Sequence, residues 1–248
     1  VLGMNNPWYY RNKAQFPVKI KDGKVQMGFY RQHSNDVVTC KECKIQDISI
    51  NEVFSFIQKQ ITLEIAQDLR HVFIRHSSTD EIQVVFIGKS EKNVLSLSDQ
   101  LKNTFTHITS IVFNYNTRND NVILGDTYKV LYGNDYILEE CLGNKVKLHF
   151  KSFFQVNPSQ MEVLYKQAIQ AANLSGNETC IDMYAGTGTI GMAVSKHAKS
   201  VIGVEIVKEA VDNANENTKI NHLSNCHYVC QDATNFAHIH KNDKIDVI

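Results

Sequence analysis

Thr179-Cys180-Ile181-Asp182-Met183-Tyr184-Ala185-Gly186-Thr187-Gly188-Thr189-Ile190-Gly191 is the stretch whose reading decides the fold. A short apolar run, Cys180 and Ile181, leads into Asp182. A glycine-rich turn follows, then a helical pattern that carries Ile190, Ala193, Val194 and His197 on one face. Strand, glycine turn and helix in that order open a βαβ unit. Gly186 and Gly188 allow a tight turn and leave no Cβ to hold a ligand away from the backbone.

Gly186-x-Gly188-x-x-Gly191 also fits the dinucleotide fingerprint, so the glycines alone leave the cofactor open. Asp182 narrows the choice. A pyrophosphate gains nothing from a carboxylate beside it, whereas a cofactor with a cationic amino-acid moiety, such as S-adenosylmethionine, does. Glu205 ends the next apolar strand, Ser200–Val204, where an acid can take both hydroxyls of an adenosine ribose. Asp232 follows a third strand, His227–Cys230, at the level of an adenine. Three acids after three successive strands suit a methyltransferase better than a dehydrogenase. At Glu205 the competing role is a cap on the helix that begins near Val207. In the cofactor reading Glu205→Gln is expected to leave folding nearly unchanged.

Outward from this stretch, the pattern from Glu178 onward alternates strand and helix, which is the doubly wound α/β arrangement. Just upstream, Asn157 can cap a helix with Pro158 at its first position, and Ser159-x-x-Glu162 offers a competing capping box. Residues 1–150 have a different texture. Strand patterns at 25–31, 71–75, 82–87 and 108–116, a helix over 51–69 and another near 95–105, and hairpin signals at Gly133-Asn134-Asp135 and Gly143-Asn144 predict an α+β domain on an antiparallel sheet. The expected organisation is therefore an α+β central domain at 1–150, followed at 151–248 by an incomplete Rossmann-like class I S-adenosylmethionine-dependent methyltransferase domain. Lys244–Ile248 reads as a strand just beginning, and the first residue is not Met, so a piece of a longer protein is expected.

The 26 basic and 26 acidic residues balance, so no global positive field announces a nucleic-acid partner and any such contact must be local. No apolar run reaches membrane-spanning length, and the N-terminal residues do not form a signal peptide. Six scattered cysteines are not a disulfide framework, and a cytoplasmic location follows as the default.

Phe154-Gln155-Val156-Asn157, Asp182–Gly191 and Gly203-Val204-Glu205 together resemble the RNA uracil-5-methyltransferases, which act on 23S ribosomal RNA or on the T-loop of tRNA. Tyr10–Lys13, Met27–Tyr30 and Cys43–Gln46 match the central domain of that family in the right order. The resemblance implies methyl transfer from S-adenosylmethionine to C5 of a flipped-out uridine, after a cysteine thiolate adds to C6 and before a general base removes the C5 proton. It implies Gln155, Tyr184, Glu205 and Thr189 as cofactor-lining residues, beside Gly186, Gly188, Asp182 and Asp232 from the strand-end argument. RNA is the expected partner, 23S rRNA ahead of tRNA, and the protein is expected to be a monomer.

The family also carries an N-terminal RNA-binding barrel, three clustered cysteines for a four-iron iron–sulfur cluster, and a late Ser-Cys-Asn-Pro segment with the nucleophile. None of these stands in this sequence. The nucleophilic cysteine and the base are accordingly expected past Ile248, no catalytic residue is assigned within this chain, and this piece alone is expected to be inactive. Cys43 resembles the fourth cluster ligand of the parent protein, and here it is expected to be a free thiol, since one ligand cannot hold a cluster. Cys40-x-x-Cys43 alone would suggest half a zinc site, but no second pair accompanies it. Cys141, Cys180, Cys226 and Cys230 are expected to be small core residues. Tyr9, Tyr10, Arg11 and Lys13 are either a clamp for single-stranded RNA or an edge strand. The alternative functions are a nicotinamide oxidoreductase, disfavoured by Asp182, and a non-catalytic RNA-binding module.

Overall fold

In the computed structural model, which describes residues 2–248, contacts divide the chain into two compact units, Val1–Ile137 and Leu138–Ile248. The first is built on a seven-stranded sheet: β1 (Lys13–Lys21), β2 (Lys24–Tyr30), β3 (Val37–Thr39), β4 (Leu69–His76), β5 (Ile82–Gly88), β6 (Ile108–Tyr115) and β7 (Tyr128–Gly133), in the order β3-β2-β1-β4-β5-β6-β7. The sheet is mixed rather than purely antiparallel, because β5 and β6 run parallel. The helix expected near 95–105, α3 (Leu95–Thr104), is the crossover that a parallel pair requires. Val72, Ile74, Val84, Phe86, Ile111 and Phe113 present one apolar face, on which α3 and α1 (Ile48–Gln60) close the core with Leu97, Leu101, Val53, Phe54 and Ile57.

Two elements differ from the sequence expectation. The single helix over 51–69 is broken into α1 and a one-turn α2 (Leu63–Ala66). Ile61 is extended, and the Thr62 hydroxyl accepts from Ile65 N at 3.2 Å. A β-branched pair whose hydroxyl can cap favours a new start over continuation. Strand β1, absent from the expectation, lies between β2 and β4 although Pro17 argues against an interior strand. Its start ties down the Tyr9–Lys13 segment. Tyr9 donates its hydroxyl to Glu42 at 2.6 Å, Arg11 pairs with Gln46, and the half-buried Lys13 stands 5.9 Å above the Phe73 ring. Burial, with Arg75 and Arg11 close by, brings the Lys13 pKa down to about 8.

The second unit holds most of a hairpin, β8 (Tyr136–Cys141, from Leu138 onward) and β9 (Asn144–His149), then α4 (Pro158–Ala172), β10 (Thr179–Met183), α5 (Thr189–Ser195), β11 (Ser200–Glu205), α6 (Lys208–Ile220), β12 (Cys226–Cys230) and α7 (Ala233–Ile239). The division between units falls within β8, after Ile137, and not near residue 150, and side chains of α6 tie β9 to the second unit. Asn217 Oδ1 accepts from Lys147 N at 2.8 Å, Asn221 Oδ1 accepts from Lys145 N at 2.8 Å, and Asn221 Nδ2 donates to Lys145 O at 2.6 Å. Asn157 caps α4 through Gln160 N, and Pro158 is the first helical residue, as its sequence suggests. Glu162 makes no capping box and instead accepts from Leu142 N at 3.1 Å.

Strands β10, β11 and β12 are parallel and in sequence order. On the other side of β10, Ile181 N donates to Val247 O at 2.9 Å and Asp246 N donates to Thr179 O at 3.0 Å. The strand pattern read at 244–248 thus pairs beside β10. Chain direction along the sheet reverses at β10, and in such sheets the crevice beyond the strand ends at that reversal is where ligands bind. Among the described residues no helix is long and apolar enough to cross a membrane.

In the first unit His76 joins Asp47, the cap of α1, through Nδ1 at 2.9 Å and Asp80 through Nε2 at 3.0 Å. Burial alone would lower the His76 pKa, but bonds to the two carboxylates and their charges raise it above 6.5. A raised folded-state value contributes stability that is fully present below pH 6.5 and is lost as pH rises through the folded value. His76→Gln should therefore lower the melting temperature at pH 6, by an amount corresponding to about 1 kcal/mol, and far less at pH 9. Thermal melts of both proteins at the two pH values check this.

Candidate functional site

The glycine loop sits at the carboxyl ends of β10 and β11, held at both ends by acids. Ala185 N donates to Val204 O at 3.0 Å, which turns the chain sharply after β10. Gly186 and Gly188 then take positive φ, +57° and +80°. A Cβ on Gly186 would meet nothing within 4 Å, so the backbone here is open to an approaching ligand. At the far end Asp182 Oδ2 accepts from Gly191 N at 3.0 Å, satisfying a first-turn donor of α5 that no side chain of the helix itself caps. At the near end Glu205 Oε2 accepts from Gly186 N at 3.0 Å.

Asp182 is an unusual carboxylate. Burial pushes its pKa up to about 6, the bond from Gly191 opposes this, and the charge of Glu205 adds to it. Its charged neighbour is therefore a second carboxylate and not a cation. A desolvated acid with negative company is stabilised most by a positive ligand.

The other expected site residues divide into two groups. Tyr184 directly follows β10, has φ +62° and is 79% exposed. An aromatic residue held in left-handed backbone and turned to solvent marks a constrained backbone position whose ring is open to contact. Gln155 is partly exposed in the loop before α4. Asp232 caps α7, its Oδ1 accepting from Asn235 N at 3.0 Å. Thr189 is turned away from the crevice: it is buried, and its hydroxyl bonds the Tyr165 hydroxyl at 3.1 Å. Glu205 is also busier than its sequence suggests. Its Oε1 accepts from Ile206 N at 2.8 Å and Val207 N at 3.0 Å, so both oxygens already hold backbone, and Val207 has no side-chain cap. Oε1 thus has both lone pairs engaged, while Oε2, with the single donor Gly186 N, keeps one for a ligand hydroxyl. Ile206 and Val207, 65% and 50% exposed, lie just past Glu205 and were not singled out by sequence. Two apolar residues directly after a strand-end acid are the signal that would have found them.

A model of the family described as tRNA (uracil-5-)-methyltransferase matches residues 4–245 of this chain. The chain belongs to that family. It is 40% identical over 240 residues to an uncharacterized RNA methyltransferase of Bacillus cereus, covering 92% of this chain and 52% of that protein. It is likewise 40% identical over 245 residues to an uncharacterized RNA methyltransferase of Halalkalibacterium halodurans, covering 94% and 53%. The chain spans about half the length of these relatives. Among solved structures, the Pyrococcus abyssi tRNA (uracil-54, C5)-methyltransferase in complex with S-adenosyl-L-homocysteine superposes with a TM-score of 0.73 at 23% identity, covering 91% of this chain and 56% of that one, a likeness of fold.

The iron–sulfur cluster that the family resemblance brings with it does not fit the residues of this chain. Cys40 and Cys43 are half-buried free thiols, and Cys43 is held by its backbone, whose N–H donates to Asn51 Oδ1 at 2.9 Å. Among the described residues no three ligating side chains converge. Of the remaining cysteines, Cys141, Cys180 and Cys226 are buried as expected of core residues, but Cys230 is exposed at the end of β12.

Two substitutions read this family member's acids. Asp182→Asn keeps the acceptor for Gly191 and removes the half-buried charge. A carboxyl with a raised folded-state pKa loses stability as pH climbs from 3.8 to about 6. The variant should thus be more stable than the wild type at pH 7.5, by on the order of 2 kcal/mol, with the gap narrowing at pH 4.5. Glu205→Gln replaces one acceptor with a donor that faces backbone N–H groups. Its melting temperature is expected to fall, by an amount corresponding to about 1–2 kcal/mol, in contrast to the near-neutral effect that sequence alone suggests. Denaturant titrations at both pH values measure the two effects.

Proposed function

We propose that the full-length protein transfers a methyl group from S-adenosylmethionine to C5 of a uridine in RNA, with 23S rRNA as the substrate. The observation that carries the cofactor is the half-buried Asp182 carboxylate beside Glu205, in a crevice where the sheet reverses. That pair offers a cationic amino-acid group a place where its charge is needed. When bound, S-adenosylmethionine supplies an electrophilic methyl group on a sulfonium. Asp182 would meet its cationic end, and Glu205 Oε2 would accept a ribose hydroxyl with the lone pair that the loop leaves free. Gly186 lets the backbone approach closely, and Tyr184, Ile206 and Val207 offer apolar surface to a base.

The family supports uracil C5 as the methylated position. Covalent addition to C6 requires a thiolate. Burial pushes Cys226 to about 11, and Cys141, with Glu162 and Glu139 adding to the effect, to about 12. Neither is poised to attack, so in this reading the nucleophile comes from the remainder of the full-length protein. The motifs at Phe154–Asn157 and in the central domain are those of the family as a whole, and the Pyrococcus neighbour is a tRNA enzyme, so the choice of 23S rRNA is the part of this reading that the substrate test decides.

The test is to incubate full-length protein with S-adenosylmethionine and either 23S rRNA or tRNA, then digest and weigh the nucleosides. 5-Methyluridine in the 23S rRNA is the expected result. The same product in tRNA alone would move the substrate, and its absence from both would defeat the reading. Calorimetric titration should show S-adenosylhomocysteine binding with NAD not binding, and Asp182→Asn weakening the former roughly tenfold. Wild-type affinity should rise between pH 5 and pH 7 as Asp182 ionises.

A further inference from the structure

Beneath the glycine loop lies a residue that neither the motif nor the acids account for. Register places Asp182, Gly203 and Tyr228 side by side across β10, β11 and β12, so their side chains share one face of the sheet. Gly203 has no side chain, and the Tyr228 ring lies over the vacancy: a Cβ on Gly203 would stand 1.9 Å from the ring. The ring then reaches the loop. A Cβ on Gly188 would stand 2.5 Å from it, and one on Gly191 would stand 2.5 Å from its hydroxyl oxygen. Gly186 alone of the loop glycines has open space above it. Two of the three fingerprint glycines are therefore required by a tyrosine from below, and only the first by approach from above.

The tyrosine is itself fixed at three points. On the outer edge of β12 its N–H donates to Asn215 Oδ1 at 2.9 Å and its carbonyl accepts from Asn215 Nδ2 at 2.8 Å. Its hydroxyl accepts from Cys226 Sγ at 3.3 Å. The same hydroxyl donates to Gly188 O at 2.7 Å, the carbonyl that also receives the first helical bond of α5 from Met192 N. The side chain is buried, so this bond is made out of competition with water.

We propose that Tyr228 is the positioning residue of the cofactor loop, its ring and hydroxyl setting the turn at Gly188 so that Gly186 N–H, Glu205 and Asp182 keep their places at the crevice. This rests on the S-adenosylmethionine reading above. The groups around it divide the work: Asp182 fixes Gly191, Glu205 fixes Gly186, and Tyr228 fixes Gly188 between them. A loop held at three successive points is already in its bound form, and a ligand does not spend affinity on ordering it.

Tyr228→Phe in the full-length protein removes the hydroxyl and keeps the ring. Affinity for S-adenosylhomocysteine, titrated well below the melting temperature, is expected to fall roughly fivefold. The KM for S-adenosylmethionine should rise by a similar factor while kcat changes little, and amide exchange at residues 186–191 of the ligand-free protein should quicken. Unchanged affinity and exchange, with only a lowered melting temperature, would make Tyr228 a packing residue and overturn the proposal. A wild type that binds no S-adenosylhomocysteine would instead remove the cofactor reading itself. If Tyr228→Phe does not fold, Cys226→Ala decides in its place: it withdraws the thiol from the hydroxyl, and a smaller loss of affinity supports the proposal while none overturns it.

Discussion

The absence of a side chain at Gly203 is the constraint on which the second unit depends. It lets an aromatic ring from β12 cross the face of β11 and support the loop that follows β10. Any larger residue there would push Tyr228 out, and with it the surface on which Gly188 and Gly191 rest. Three strands thus contribute to one turn: β10 its acid, β11 its empty position and its terminal glutamate, β12 its tyrosine. The parallel register is what lines these up, since a slip of one residue would send Tyr228 to the opposite face.

The two acids around that turn also explain a tension in the site. Asp182 is half-buried beside Glu205, an arrangement that costs stability when both are ionised. Yet each also satisfies a backbone donor of the loop. Local stability is therefore lower than a neutral pair would allow, and the unfavourable charge lies where the proposed cationic ligand would offset it. Sites with this character commonly trade stability for binding.

Much of this was legible in the sequence because the signals are short-range. Strand, glycine turn and helix follow from periodicity and from the glycines, and Asn157 with Pro158 declares the start of α4. Asp182 and Glu205 were visible as strand-end acids. What stayed hidden depends on partners far along the chain. Thr189 looks like a loop hydroxyl until Tyr165 arrives from α4, and Glu205 looks free until Gly186 N–H reaches it. Tyr228 reads as one more apolar strand residue, since nothing local says that it faces Gly203. In the first unit β1 was missed because Pro17 breaks the strand signal, and the helix break at Ile61-Thr62 because its hydrophobic spacing continues across it. The parallel β5–β6 pair was legible in principle, since the helix pattern near 95–105 stands between two strand patterns, but the surrounding hairpin signals outweighed it.

Helix α6 has one more property, in its asparagines. Asn215 bonds the outward N–H and C=O of Tyr228, and Asn217 and Asn221 do the same for Lys147 and Lys145 on β9. One helix therefore presents to two separate strand edges the donors and acceptors that a neighbouring strand would have offered. At those positions neither edge can recruit a strand from another molecule, so the helix guards against sheet extension between chains as well as filling its own layer. An asparagine changed to leucine there would keep the packing and reopen the edge. Its cost would then show as self-association in concentrated solution more than as a lowered melting point.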